Sequence, residues 1–398
     1  MTKAQRKKAH ARAEAARARE LTDRYREDKA SKVVTFDDVA KLLDGPYSAM
    51  KAKAKIDAFD LPTVEIQGAL SVRPKDVDQE VPVIKAIPQA PAIIAAIEKI
   101  KIKQDIDLLA YWPDYGYANF DQLDTMASLL EARSRFSLVA RTTEWIDGVE
   151  WCIADLREPF ADTSNVTKVL CSQIYTEFTP KLTESVVFAE RAQVDVEALN
   201  LSVNKIPGEV VSGYQLLDFR ENLWLHTASI QVSMLVLRDE YRGVGIINPS
   251  YQDFKLPDQR LRTADGFRAS EPKNERIICI FHIDLHWVAF LVDRNIHPKT
   301  MKATCYMFDP MQSSHNYNII EKSVRATIED LLQLQDQVIY EKVKWCNQQD
   351  GSSCGVWCIA VLEMLLAKKP WDKCIYDLLP YLRMRFLHKA LVFVESKI

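Results

Sequence analysis

The stretch WCNQQDGSSCGVWCIAVLEMLL, residues 345–366, runs from a polar turn into an apolar helix, and Cys354 sits at the junction. Ser352 and Ser353 are the expected N-caps, and the residues from 354 onward have the apolar character of a buried helix. A thiol at that point meets the positive end of the helix macrodipole and unpaired backbone N–H groups, both of which favour a thiolate. Gly355, directly after it, leaves room for an approaching backbone. The alternative is a buried structural cysteine, a common fate for this residue type, and Cys358 one turn deeper fits it well.

A thiol nucleophile needs a group to exchange its proton, and imidazole does this best near neutral pH. Upstream, IICIFHIDLHWVAFLVD (277–293) reads as a strand or two in a sheet core, with His286 at the end of the turn-like HIDL. The short apolar run KATCYMFDPM (302–311) ends in Asp309, where a strand would deliver a carboxylate to the same sheet edge. Gln348 lies six residues before Cys354, and its amide is suited to donate to the oxyanion of a tetrahedral intermediate beside the cysteine N–H. Singly, each has a plain reading: a core or surface histidine, a turn aspartate before proline, a polar turn glutamine. His282 and His315 compete for the role of base, but neither precedes a tryptophan.

Taken in order, His-Trp, Asp and Gln-x5-Cys-Gly at 286, 309, 348 and 354 form a specific pattern. In HWVAFLVD, YMFDPM and QQDGSSCGVW the chain resembles the Ulp/sentrin-type cysteine proteases, which process ubiquitin-like modifiers. ENLWLHTASIQVSMLVL (221–237), followed by INPSY (247–251), is similar to that family's early substrate-facing helix. The resemblance spans about residues 205–395. It implies an α+β, papain-like cysteine protease fold. It also implies Cys354 as nucleophile, His286 as general base and then acid, Asp309 as orienting residue and Gln348 in the oxyanion hole. Trp287 and Trp224 would roof a narrow channel that admits the Gly-Gly tail of a SUMO-type modifier and excludes side chains. The order His…Asp…Cys is no obstacle, because such sites are defined by geometry. The chain departs from the family at Thr227, where members commonly carry an acid that pairs with an arginine of the modifier. It departs again at Ser353, often Asp, and in the longer connection RNIHPKTMKATCYMF (294–308). Domains of this type also occur in mobile genetic elements, so a cellular and an element-borne origin both stand. So do two further readings: a non-catalytic module that captures a modifier, and an acetyltransferase built on a related thiol site.

The 398 residues suggest two to three domains, and a 47 % hydrophobic fraction is ordinary for a globular protein with a sizeable core. No apolar run is long enough to span a membrane, and the charged N-terminus lacks the apolar stretch of a secretory signal. The eight cysteines form no CxxC pair, so reduced thiols in an intracellular, nuclear or cytoplasmic setting are expected, without a metal site or cofactor. Residues 1–30 hold ten Lys/Arg against five Asp/Glu; this +5, taken from a net −3, leaves −8 on the remainder. Nucleic-acid binding is therefore expected at most through that basic tail, which reads as a solvated helix or a disordered arm. Residues 31–95, proline-bearing and aperiodic, read as a linker or extended segment. Residues 96–204 read as a mainly helical region without a chemical motif. It includes QLDTMASLLEARSRFSLVAR (122–141) and TKVLCSQIYTEFTPKL (167–182), with short strands around EWIDGVEWCIADL (144–156). The aromatic run YWPDYGYANF (111–120) fits a packed corner better than a binding surface. Residues 205–398 form the expected protease domain.

Overall fold

The computed structural model describes residue 35 and residues 61–66, 70–74, 84, 86–103, 108–113, 115–157, 182–201, 203–297, 302–371 and 373–396. The basic segment 1–30 and TKVLCSQIYTEFTPKL up to residue 181 lie outside them. The chain divides into two compact units, Met1–Ser137 and Leu138–Ile398.

In the first unit β1 (Thr63–Val64) pairs in parallel with β3 (Ile87–Pro88), and β2 (Ser71–Pro74) pairs antiparallel with β4 (Leu108–Trp112). β5 (Gly116–Ala118) completes the second sheet against β4. The segment expected as linker or extended chain thus holds short strands, and α1 (Ala90–Lys103) begins before residue 95. Ile93, Ala96 and Ile100 of α1 are buried at helical spacing. The aromatic run is a packed corner: Tyr111 and Tyr117 pair across the strands at 4.6 Å, and Trp112 meets Tyr115 edge-on at 5.8 Å. The Tyr115 hydroxyl donates to the Ala86 carbonyl at 2.9 Å.

The division between units falls within α2 (Phe120–Arg157), which runs unbroken through EWIDGVEWCIADL, where short strands were expected. Leu129, Ala132, Phe136, Val139, Thr142, Ile146 and Val149 are all buried. Their three- and four-residue spacing carries the helical period past Gly148, so the apolar residues of that stretch continue one helix face rather than start a strand.

The second unit is built on a five-stranded mixed sheet in the order β12-β11-β10-β9-β8. Its strands are β8 (Val244–Ile246), β9 (Arg276–Ile283), β10 (His286–His297), β11 (Lys302–Phe308) and β12 (Val338–Lys342). β9, β10 and β11 are successively antiparallel, and the outer strands β8 and β12 pair in parallel. Ile277, Cys279 and Phe281, with Val288, Phe290 and Val292 and with Ala303, Cys305 and Met307, make one buried face by period-two alternation. Tyr251, Tyr317, Ile320, Val324 and Ile328 cover it. The helices α5 (Pro257–Ala264) and α6 (Ser314–Ser323) lie on this side, and α6 continues through a single π-turn, Val324–Ile328, into α7 (Glu329–Leu332). α4 (Thr227–Glu240) and α8 (Cys354–Ala367) pack against β9 and β10. α9 (Leu379–Glu395) packs on α4 and on α3 (Leu182–Ala198). A hairpin of β6 (Asn204–Ile206) and β7 (Glu209–Val211) precedes α4. The layered α+β architecture is the one expected. Among the described residues no helix is long and apolar enough to cross a membrane.

α8 has buried residues on every side, so its period carries no polar face and only an enclosed site accommodates it. Phe290, fully buried on β10, meets Phe281 edge-on at 6.1 Å, and Phe281 meets Tyr251 at 5.9 Å. Phe290→Ala should therefore cost about 3–5 kcal/mol of stability, read as a lower urea midpoint with an unchanged denaturant slope.

Candidate active site

The β9–β10 hairpin turns through Asp284 and Leu285. Asp284 takes a left-handed φ of 52°, a conformation that a short polar side chain tolerates. This tight turn makes His286 the first residue of β10. In the neighbouring strand Phe308 pairs with Ala289, so Asp309, one residue past the end of β11, lies at the same end of the sheet. His286 Nε2 and Asp309 Oδ1 are 2.7 Å apart. Asp309 is fully buried, yet both carboxylate oxygens are satisfied. Oδ1 also accepts the Met311 N–H at 3.0 Å, while Oδ2 accepts the Ser313 N–H at 2.7 Å and Asn316 Nδ2 at 3.1 Å.

Burial works against charge on His286, but the Asp309 carboxylate and the hydrogen bond to Cys354 outweigh it and push the imidazole up to about 9. Burial likewise works to raise Asp309, and the hydrogen bonds from His286, Met311 and Ser313 more than offset it, holding the carboxyl below its ordinary value. With Nε2 given to Asp309, Nδ1 is the nitrogen left for the thiol. Cys354 is the first residue of α8 and is 4 % exposed, so it meets the imidazole in a largely dry setting. The helix opens with backbone N–H groups that have no intrahelical acceptor. Cys358, one turn on, is fully buried; its thiol donates to the Trp287 carbonyl at 3.4 Å and burial pushes it well up. Both cysteines of this helix are buried, and it is Cys354 that faces the imidazole.

The turn before α8 differs from the expected capping. Ser353 occupies the N-cap position and its carbonyl accepts the Trp357 N–H at 3.0 Å, but neither its hydroxyl nor that of Ser352 caps the helix. Instead Asp350 organises the turn: Oδ1 accepts the N–H groups of Ser352 and Ser353, and Oδ2 accepts the Ser353 hydroxyl at 2.7 Å. Gln348 is held beside Asp309 by its own N–H, which donates to the Pro310 carbonyl at 2.8 Å. Its side-chain Nε2 donates to the Asp350 carbonyl at 2.6 Å and to Asp350 Oδ1 at 3.1 Å. An amide has two N–H groups, so Gln348 must release one of these contacts to donate to an oxyanion.

Trp287 is buried and its Nε1 donates to the Leu225 carbonyl at 2.9 Å, tying the strand to the segment ahead of α4. Trp224, next to Leu225, is 48 % exposed. Gly355 departs from the expectation that it makes room for substrate. A Cβ there would meet Ile230 Cδ1 at 3.0 Å, Leu225 Cδ1 at 3.1 Å and Trp287 Cδ1 at 3.2 Å. The missing side chain serves the close approach of α8 to α4, not an open cleft. His282 lies against the edge of Trp287 at 5.0 Å and His315 is exposed on α6, so neither takes the place of His286.

Sequence reasoning missed Arg383 of α9. It is 1 % exposed and donates to the carbonyls of Phe219 and Leu223, at 3.3 and 3.0 Å, and to Ser353 Oγ at 3.0 Å. It also missed Asp218, whose buried carboxylate accepts His226 Nδ1 at 2.8 Å and the Ser229 hydroxyl at 2.7 Å. Arg383 stands in an amphipathic helix with nothing local to mark it, while Asp218 and His226 are eight residues apart across an irregular turn. Among the described residues no group of three or more His, Cys, Asp or Glu side chains is placed to hold a metal ion.

A thiol at a helix start, hydrogen-bonded to an imidazole that a buried carboxylate orients, is the arrangement of a cysteine hydrolase. Residues 250–390 match the model of the Ulp1 protease family, C-terminal catalytic domain, so this part of the chain is a cysteine protease domain of the Ulp1 type. The match starts after Trp224 and α4, which the Trp287–Leu225 hydrogen bond joins to the site. Among solved structures, the C-terminal Ulp1 protease domain in complex with Smt3, the yeast ortholog of SUMO, is 12 % identical. That likeness covers 51 % of this chain and 93 % of the other, with a TM-score of 0.43. The Chaetomium thermophilum Ulp1-like SUMO protease catalytic domain is 14 % identical over 52 % of this chain and 88 % of its own, with a TM-score of 0.39. The Xanthomonas campestris effector XopD bound to ubiquitin is 18 % identical over 37 % and 77 %, with a TM-score of 0.30. All three scores lie below 0.5, and it is the family match that assigns the domain. No curated protein sequence matches this chain.

Asp309→Asn removes the charge that holds His286 up, so the imidazole midpoint should fall from about 9 toward 6.5, read by NMR of the ring protons. Because the folded-state value is the raised one, this pair stabilises the protein fully below about 6.5. That stabilisation is lost as pH rises through about 9. The variant should therefore be less stable than wild type below 6.5 and show a flatter decline between these values in urea titrations.

Proposed function

We propose that this chain cleaves the peptide or isopeptide bond after the C-terminal Gly-Gly of a ubiquitin-like, SUMO-type modifier. The observation that carries the reading is the pairing of His286 with Asp309 at 2.7 Å and with Cys354 on its other side. His286, raised to about 9, already holds its proton near neutral pH, so the Cys354 sulfur attacks the scissile carbonyl carbon as a thiolate, and the imidazolium gives its proton to the leaving amine as the acyl-thioester forms. The neutral imidazole then removes a proton from the water that attacks the thioester and keeps it as the thiolate is expelled and the free carboxylate leaves. Asp309 keeps the ring in orientation throughout. The backbone N–H of Cys354 and one N–H of Gln348 would receive the oxyanion once the amide lets go of Asp350. No metal is needed for these steps, because thiolate and imidazole supply both nucleophile and proton transfer.

The substrate class rests on the family match and on the resemblance at HWVAFLVD, YMFDPM and QQDGSSCGVW. Trp224 would cover an extended Gly-Gly tail, with Trp287 as the strut beneath it; the exposure of Trp224 and the hydrogen bond from Trp287 to its neighbour Leu225 support this. Thr227 at the start of α4 lacks the acid through which relatives pair with an arginine of the modifier, so the preferred modifier should differ there. Any nucleic-acid contact falls to the basic residues 1–30.

The test is covalent labelling by a panel of ubiquitin-like proteins that carry an electrophile at the terminal glycine, read by intact mass. Wild type should form an adduct with at least one modifier, and Cys354→Ala should form none while keeping its fold. Binding of the same unreactive modifiers without labelling would replace this reading with a capture module. In cleavage assays Gln348→Ala should slow turnover by ~10²–10³-fold; an unchanged rate would assign the oxyanion hole to backbone groups alone.

A further inference from the structure

Arg383 is a guanidinium 1 % exposed in a protein interior, an expensive location for a charge that lacks a partner. Its direct contacts are all neutral oxygens: the carbonyls of Phe219 and Leu223 and the hydroxyl of Ser353. Its Nε–H is buried and has no acceptor. The carboxylates that act on it stand off: Asp350 is reached through the Ser353 hydroxyl, and Asp218 is already engaged by His226 and Ser229. A core arginine kept only for structure would be expected to sit in a bidentate carboxylate pair, as Arg385 does two residues on with Glu363, at 2.6 and 2.7 Å. The hydroxyl that Arg383 grips belongs to the residue immediately before Cys354.

We propose that Arg383 is a positioning residue for the nucleophile. Through the Ser353 hydroxyl it fixes the turn that starts α8 and holds a positive charge against the residue immediately before Cys354, where it favours a thiolate. Asp350 in the preceding turn and Asp218 ahead of α4 face Arg383, while His286 on β10, with Asp309 behind it, faces Cys354. The helix macrodipole adds to the two cations. The acceptors that hold Arg383 in place come from two segments distant from α9, 219–223 and 353, so its position depends on the folded domain rather than on a local motif. This inference deepens the proposed chemistry by resting on Cys354 as nucleophile, but it concerns the ionisation of the thiol and is measurable without a substrate.

The experiment is the pH dependence of Cys354 alkylation by iodoacetamide, followed by peptide mass on the full chain. Wild type is compared with Arg383→Gln, which keeps a donor but loses the charge, and Arg383→Lys, which keeps the charge. Arg383→Gln should raise the alkylation midpoint by about one pH unit, a tenfold loss of thiolate on the acid side of the profile. Arg383→Lys should restore most of it. A melting-temperature loss in Arg383→Gln with an unmoved midpoint would make Arg383 purely structural and overturn the proposal. Should Arg383→Gln not fold, wild type provides the answer. In 15N-arginine-labelled protein the Arg383 Nε–H signal should shift with the alkylation midpoint, and the shift should vanish in Cys354→Ala. No shift in wild type would overturn the proposal equally. Failure of modifier labelling with these results intact would count against the substrate reading alone.

Discussion

The catalytic half of the molecule depends on a buried carboxylate that must be satisfied. Asp309 has no access to water, so its charge is tolerable only because four donors converge on its two oxygens. Two of them are backbone N–H groups of the turn that leaves β11, one is an amide at the start of α6, and one is the imidazole of His286. The ends of β10 and β11 are thereby locked together with the helix that follows. Removing any donor would leave part of a buried charge unpaired, which costs more than the hydrogen bond itself contributes. The same constraint fixes the ring of His286, and a fixed ring leaves one nitrogen aimed at the thiol.

A second set of contacts brings the remaining parts to that ring. Trp287 follows His286 in sequence and points to the other face of the sheet, where its indole N–H reaches Leu225 and its edge closes on Gly355. One strand therefore presents His286 and anchors both the segment that carries Trp224 and the start of α8. The tight contacts of Gly355 with Ile230 and Leu225 make this junction intolerant of a larger residue. They transmit any displacement of α4 directly to α8. Asp350 and Arg383 finish the turn from the opposite side through the Ser353 hydroxyl.

The two cysteines of α8 illustrate how placement decides chemistry. Cys354 stands where backbone donors are open and an imidazole is within reach. Cys358, one turn deeper, is held as a thiol by desolvation, by the neighbouring Cys354, Asp309 and Cys346, and by a carbonyl acceptor. The side chain is the same in both; the position along one helix separates the thiol that faces an imidazole from the one that packs.

Much of this was legible in the residues themselves. The apolar runs at 277–293 and 302–311, and the polar turn entering an apolar helix at 354, set strand, strand and helix by local composition. The pattern of His286, Asp309, Gln348 and Cys354 carried the family resemblance, and that resemblance implied the chemistry. The helix through EWIDGVEWCIADL was missed because a short window with Trp, Ile and Gly hides a three- and four-residue period that only the full length of α2 reveals. Gly355, Trp287 and Ser353 were read as substrate space, roof and cap. Their real partners, Ile230, Leu225, Asp350 and Arg383, come largely from elsewhere in the chain, and only packing shows them. Sequence determined which groups could react, because side-chain chemistry and local period are properties of short stretches. The tertiary structure alone decided how they are charged and held, because burial, convergent donors and a lone arginine 30 residues from Ser353 exist only once distant segments meet.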